Sequence, residues 1–500
     1  MAVSKDLSLI FNTPDYRESI DKGKNFYIQF PVYSQEVDTY LIKIVHRYLE
    51  KYDIIYLKDV ILTVCKELIT NGIKANIKRM FFRMKGLDIS KKEDYRNGME
   101  IFKREVYEED SNIFEKLKAS KFIVRVFFEC KQDRLSIKII NNTPILSEEL
   151  KKIDARIKKG YQYNDISEAF IDVLDDSEGA GLGLILALML MKNSGLPKES
   201  LNITTNGKIT CAHLDIQRKI DQQEKDRLIA DEILKEVDSI PSFPENILEI
   251  QKLCASSEST IKQIAESIKR DPGLTTAILK LANSAGYIVL NKVKTLEEAV
   301  KIIGLKGISS LLIASGVQSI MNSRYSKYKS VWDNSYRIAF YAQNITMQLK
   351  KTRLNQYVFL SALLCDIGQI VLFSIHPDKT KKIREIAGIK GIDDSNMLEE
   401  ISLGISHSSL GSLICKKWKF NEIFLHVIEY HHRPYMVSEQ YKELVYIVYL
   451  ANVFVEIEEQ KSRFETVEDD VLHYFNLTRK VDFETLHNVL KQTYETRQVS

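Results

Sequence analysis

Apolar and polar positions follow two different periods in the first part of the chain and one period in the rest. NFYIQFPVY (Asn25–Tyr33) alternates and is rich in aromatics, which predicts a strand. VDTYLIKIVHRYLEKY (Val37–Tyr52) and LKDVILTVCKELITNGIKANIKRMFF (Leu57–Phe82) repeat every three to four residues and predict amphipathic helices. Two strands follow, KFIVRVFFEC (Lys121–Cys130) and RLSIKIINN (Arg134–Asn142), joined by the turn KQD. A helix begins inside GLGLILALMLMK, and a last strand pair, Leu201–Asn206 and Lys208–Ile216, meets at an Asn-Gly turn. Helices interleaved with antiparallel strands predict an α+β sandwich over residues 1–216.

Residues 217–239 are highly charged, with Ile229, Ile233 and Val237 recurring every fourth position. This fits a linker helix packed through a narrow stripe and equally a solvated helix with a minor stripe. IPSFP (Ile240–Pro244) ends that helix. Beyond it the pattern is helix after helix with short Gly, Pro or Asn breaks. An all-α domain is predicted over 240–459, then a helical C-terminal tail over 460–500.

Composition adds little direction. Hydrophobic residues make up 44% and charged residues 28% of 500, a globular composition. The formal net charge of +3 gives no global case for nucleic acid or membrane binding. Cys65, Cys130, Cys211, Cys254, Cys365 and Cys415 are scattered, without C-x-x-C pairs, as in a chain of reduced thiols. The first residues lack the shape of a signal peptide. The run LILALMLM is read as the longest apolar stretch, far short of the roughly 20 residues of a membrane helix. A cytoplasmic location is expected.

Two N-terminal segments carry candidate chemistry. In KELITNGIK (Lys66–Lys74), Glu67 and Asn71 lie four apart on a predicted helix and share a face. Asn71 could ligate Mg²⁺, Lys74 could reach a phosphate, and Glu67 could orient or deprotonate a water. An ordinary polar helix face would look the same. In EGAGLGLILALMLMK (Glu178–Lys192), Gly179, Gly181 and Gly183 permit close backbone approach to an anion, and the following helix aims its N-terminus at it. Together the segments resemble the N box and second glycine box of the GHKL superfamily of ATP-binding domains. The resemblance covers about Asn25 to Ile216. It implies ATP and Mg²⁺ as cofactors, Asn71 as Mg²⁺ ligand, Lys74 and the three glycines at the phosphates, and an ATP lid between Leu150 and Asp176. In IINNTPILSEEL (Ile139–Leu150), Asn141 stands where the family has its adenine-binding aspartate, and Thr143 and Ile145 replace glycines. Asn141 can still accept a hydrogen bond through its amide oxygen. His46 precedes Arg47 and Tyr48 and lacks the setting of a phosphoacceptor; it reads as a surface or half-buried helix residue.

The second half resembles an HDOD domain, a relative of the metal-dependent HD phosphohydrolases. The segments that carry the resemblance are IPSFPENILEIQKL, Asp271–Tyr287 (DPGLTTAILKLANSAGY), Ala299–Gly304, VWDNSYRIAFYAQNI, FLSALLCDIGQIVLF, GISHSSLGSLICKKW and VIEYHHRP. Asp271 and Pro272 read as a helix start, Asn283 and Ser284 as caps at a helix end. The His-Asp doublet of the HD enzymes is Cys365-Asp366 here, and an earlier histidine position is Asn334. Asp366, His407, His431 and His432 remain. They read as Asp366 with one or two imidazoles, and the histidines as structural groups bridging loop carbonyls. The resemblance implies a non-catalytic output or scaffold domain. The leading expectation is therefore a signal-transduction regulator that senses a nucleotide or binds a protein partner, as a homodimer or with another protein. The alternative is an ATP-hydrolysing or protein-phosphorylating enzyme with Glu67 as base. A third reading is a cyclic-nucleotide phosphodiesterase in the second half.

Overall fold

The computed structural model describes residues 9–108, 113–131, 134–163, 182–217, 231–283, 293–325, 328–349, 354–390 and 395–499. Gly179, Gly181, the end of the expected ATP lid, most of the charged linker and Ser284–Tyr287 lie outside these residues. The chain divides into two units, Met1–Leu228 and Ile229–Ser500.

In the first unit the strands β1 (Ile10–Phe11), β2 (Phe26–Phe30), β3 (Val124–Cys130), β4 (Arg134–Asn141), β5 (Leu201–Thr205) and β6 (Thr210–Gln217) form one antiparallel sheet in the order β1-β2-β3-β4-β6-β5. Its register pairs Phe26 with Phe128, Val124 with Asn141, and Asn141 with Thr210. Period-2 alternation puts Phe26, Ile28, Val126, Phe128, Ile137, Leu214 and Ile216 on a buried face. Tyr27, Gln29, Arg125, Phe127 and Lys138 stand on the other, half-buried face, where the Arg125 guanidinium lies 4.3 Å over the Tyr27 ring. The helices are α1 (Tyr16–Asp21), α2 (Gln35–Tyr52), α3 (Lys58–Met84), α4 (Lys92–Glu108), α5 (Ile113–Lys118), α6 (Ser147–Gly160) and α7 (Leu182–Asn193). Helix α3 packs on β3, β4, α2 and α7. Ser34 caps α2 through the Val37 amide. Leu184 to Met191 are all buried, which explains why α7 is apolar on every side. Gly207 takes the left-handed conformation (φ +81°) that the Asn-Gly hairpin turn needs. The first part of the segment expected to form the ATP lid is helical, since α6 runs to Gly160.

Every regular element described in the second unit is helical: α8 (Asp231–Ser239), α9 (Glu245–Ala255), α10 (Ile261–Lys269), α11 (Pro272–Ala282), α12 (Leu296–Arg324), α13 (Lys329–Gln348), α14 (Asn355–Leu364), α15 (Ile367–Ile375), α16 (Pro377–Lys390), α17 (Ser395–Leu403), α18 (His407–Lys417), α19 (Glu422–Tyr430), α20 (Lys442–Glu458), α21 (Asp469–Tyr474) and α22 (Lys480–Val499), with short 3₁₀ turns. The caps follow the sequence signals. Asp271 accepts from the Leu274 amide with Pro272 at the first helical position. Asn283 donates to the carbonyls of Leu279 and Val293 and accepts from the Val293 amide, all at 2.7–2.8 Å. Ile233 and Val237 of α8 are buried, so in its described half the apolar stripe is a packed face. The end of α8 is held by Lys417, which donates to the carbonyls of Val237 and Asp238. The C-terminal helix packs on the rest of the unit: Phe483 meets Phe454, and His487 lies 2.9 Å from Glu458.

The run LILALMLM is not the most membrane-like part of the chain. Leu296–Arg324 and Tyr357–Ile375 are long and apolar enough to cross a membrane by composition, but 50% and 83% of their most apolar windows are buried in the fold.

Candidate functional site: a buried histidine–aspartate centre

Three elements bring the centre together. Asp366 follows Cys365 at the junction of α14 and α15 and occupies the N-cap position of α15. His407 is the first residue of α18, whose start is capped by Ser406 through the Ser409 amide. His431 closes α19 and His432 follows it. Helices α15 and α18 approach so closely that a Cβ on Gly368 would overlap the His407 carbonyl and stand 2.8 Å from the Gly411 nitrogen. That approach sets Asp366 Oδ1 3.4 Å from His407 Nε2, with His431 Nε2 3.7 Å away. The His432 ring centroid lies 4.2 Å from that of His431 and 5.1 Å from that of His407. One donor atom from each of the four residues can be chosen so that all lie within 4.8 Å of one another.

A second layer fixes the rings. His407 Nδ1 lies 2.7 Å from Glu399 Oε2, and the same oxygen accepts from the His407 backbone amide. His431 Nδ1 lies 2.7 Å from the Ile428 carbonyl oxygen. Asn452 and Glu456 of α20 stand 3.5 and 3.7 Å from His432 Nδ1. Arg433 pairs with Glu400 at 2.7 Å. Asp366, His407 and His431 are 6%, 0% and 0% exposed. Burial works to raise the Asp366 carboxyl, but the facing His431 and His407 outweigh it and hold it below the usual range. Burial, with His431, His407, Arg433 and Lys461 nearby, holds His432 well below the ordinary imidazole value and keeps it neutral.

Two imidazoles, those of His407 and His431, lie within 4 Å of Asp366 Oδ1, and His432 completes a group whose donor atoms lie within 4.8 Å of one another. The carbonyl-bridging role holds for one of the histidines. His431 does use a carbonyl, but His407 uses the Glu399 carboxylate. Cys365 and Asn334 do not join the centre. The Cys365 thiol is fully buried, pushed well up by burial, and donates to the Ala362 carbonyl at 3.1 Å. Asn334 donates to Glu459 at 2.8 Å and accepts from Arg337 at 3.3 Å. Glu399, Gly368 and the Ile428 carbonyl were not singled out in the sequence. Of these only Gly368, in the segment CDIG, left a local signal, because glycine inside an apolar helix marks a close approach.

In the first unit, Asn71 donates to Glu67 Oε1 at 3.1 Å, and a Cβ on Gly183 would overlap the Glu67 carboxylate. The structure therefore brings Glu67, Asn71 and Gly183 together where α3 meets α7. Lys74 is exposed on α3. Asn141 is 6% exposed, and its NH₂ donates to Thr143 Oγ1 at 2.6 Å within a buried group that includes Asn76. Glu149 joins Lys78 and Arg79. Burial works to raise its carboxyl, and the two cations hold it below the ordinary value. His46 is half-buried.

Comparison with known proteins places a family on part of the chain. The chain is 27% identical over 495 residues to an uncharacterized protein of Treponema pallidum (strain Nichols), covering 99% of this chain and 96% of that one. Among solved structures, an HDOD domain protein of unknown function from Geobacter sulfurreducens is 21% identical, covering 56% of this chain and 96% of that one at a TM-score of 0.42. The MmoQ response regulator of Methylococcus capsulatus is 20% identical, covering 50% of this chain and 98% of that one at a TM-score of 0.26. Residues 240–434 match the HDOD domain. The C-terminal half of this chain thus carries an HDOD domain.

Proposed function

We propose that the chain is a signalling regulator whose HDOD domain binds and does not hydrolyse. The observation that carries this is the closure of the centre: Asp366, His407 and His431 are buried, and the position beside Asp366 holds a protonated, inward-bonded Cys365. Metal-assisted phosphodiester hydrolysis needs an open coordination position for water and substrate. A closed centre of this kind suits a fixed scaffold that a protein partner reads. The test is hydrolysis of cyclic mono- and dinucleotides by the full chain supplied with Mg²⁺, Mn²⁺ or Zn²⁺. Product at the level of the Asp366→Asn variant supports the reading, and turnover abolished by that substitution refutes it.

A nucleotide input at the first unit is the second reading. It is supported by the meeting of Glu67, Asn71 and Gly183, which come from the two segments that resemble GHKL boxes. Asn71 would hold Mg²⁺ of bound ATP, and Lys74 would reach its phosphates. Titration of the full chain with ATP and Mg²⁺ tests this, with Asn71→Ala expected to abolish binding. Turnover of ATP that Glu67→Ala removes would favour an ATPase or protein kinase instead.

A further inference from the structure

We infer that the face of the first unit's sheet turned away from α3 binds single-stranded nucleic acid, with Tyr27 and Phe127 stacking on unpaired bases and Arg125 and Lys138 meeting phosphates. The inference goes beyond both readings above and depends on neither.

Register builds the face. Tyr27 pairs with Phe127, Phe127 with Lys138, Lys138 with His213, and His213 with Asn202. Five neighbouring strands thus carry one transverse row of two aromatic rings, an ammonium, an imidazole and an amide. Gln29 and Arg125 stand in the next row. Helix α3 lies against the opposite face, where a Cβ on Gly72 would stand 3.4 Å from Val124 Cγ2. The first four residues of the row are half-buried and Asn202 is exposed, as is Ile10 opposite Gln29 at the sheet edge. The face therefore reaches solvent among the described residues.

Its charge is layered. Lys138 and Lys131, 30% and 50% exposed, both hold Glu129, which is 16% exposed. Arg134, 35% exposed, holds Asp215, which is 27% exposed. Each carboxylate lies deeper than the cations that hold it. With Arg125, four cations stand against two carboxylates, and the outer layer is positive. Arg125 donates through Nε and Nη2 to Gln29 Oε1 at 3.2 and 2.8 Å, which leaves Nη1 without a protein acceptor among the described residues. A polyanion complements this layer. A second copy of the face would set the positive layer against itself.

The rings select the form of that polyanion. The Tyr27 and Phe127 rings lie 6.3 Å apart and within 24° of parallel, and the Arg125 guanidinium lies 4.3 Å over Tyr27. Bases stacked in a duplex strand rise by about 3.4 Å. Rings at nearly twice that spacing match bases that have left their stack, one to each ring.

The experiment titrates the full-length chain into a labelled uridine oligonucleotide of about 12 residues and into a duplex of the same length, and follows anisotropy at several salt concentrations. The single strand should bind more tightly than the duplex. Tyr27→Leu and Phe127→Leu keep apolar bulk and remove the π-face, and each should weaken binding by about 5- to 150-fold. Tyr27→Phe and Phe127→Tyr should bind as the wild type does. Arg125→Gln should lower the slope of log K against log salt by about 0.7, and this decides the matter if the leucine variants do not fold. Lys151→Gln, on the exposed side of α6, should leave binding unchanged. The inference is overturned by single-strand binding no tighter than about 10⁻⁴ M, by a duplex bound equally well, or by binding indifferent to the leucine and glutamine substitutions on the face. A dimer that Tyr27→Leu dissolves, without oligonucleotide binding, would overturn it and give the face to a second copy.

Discussion

Gly368→Ala should destabilise the second unit strongly. The new Cβ would overlap the His407 carbonyl oxygen and stand 2.8 Å from the Gly411 nitrogen and 2.9 Å from the His407 carbonyl carbon. Non-bonded heavy atoms prefer about 3.5–4.0 Å, so the Gly411 contact alone requires α15 and α18 to part by about 0.7 Å, and the overlapping His407 oxygen requires more. All three obstructing atoms are backbone, and no rotamer change relieves the overlap. Overpacking of this kind costs typically 1–3 kcal/mol, and the upper half of that range applies here. For a unit of this size each kcal/mol lowers the Tm by about 2 °C, which gives a fall of about 4–6 °C. The chain has two tryptophans, Trp332 and Trp418, and both are buried in the helical unit. Thermal unfolding followed by tryptophan fluorescence therefore reports that unit alone. The same separation moves Asp366 away from His407. A Tm within about 1 °C of wild type would refute the reasoning, since even the smallest overpacking cost would exceed it.

Other perturbations test the remaining elements. Asn283→Ala removes two bonds to the Leu279 and Val293 carbonyls and one from the Val293 amide, and should cost about 1–3 kcal/mol by denaturant titration of tryptophan fluorescence. Gly183→Ala should displace the Glu67 carboxylate and break its bond to Asn71; because a side chain can move, the cost should fall near 1 kcal/mol, read as faster hydrogen exchange in α3 and α7. Glu149→Gln should loosen the start of α6. The folded carboxyl sits below its ordinary value of about 4.3, so its contribution is present above that pH and is lost as pH falls through the folded value. The difference in exchange protection between wild type and Glu149→Gln should be full at pH 7 and shrink in acid; a difference independent of pH would contradict the assignment.

The parts of the fold that local chemistry decides were legible in the sequence. Alternation marked β2, β3, β4 and β6, and Asp271, Pro272 and Asn283 marked the ends of α11, because caps and periods act over a few residues. The pairing of Glu67 with Asn71 followed from helical spacing alone. The centre was legible only as a roster of residues. Asp366, His407, His431 and His432 could be named, but their convergence depends on the close packing of α15 on α18, which Gly368 and Gly411 permit. Glu399 carries no signal in the sequence, since its role exists only once α17 lies beside His407. Asn141 shows the same limit. Its amide could serve a ligand as far as the sequence goes, yet the fold buries it against Thr143 and Asn76.

The central claim is that the HDOD domain keeps a closed binding centre without hydrolytic chemistry. Its most direct test is the rate of phosphodiester cleavage by the full-length chain after loading with divalent metal. The account predicts a rate equal to that of the Asp366→Asn variant. Turnover present in the wild type and absent in that variant would contradict it.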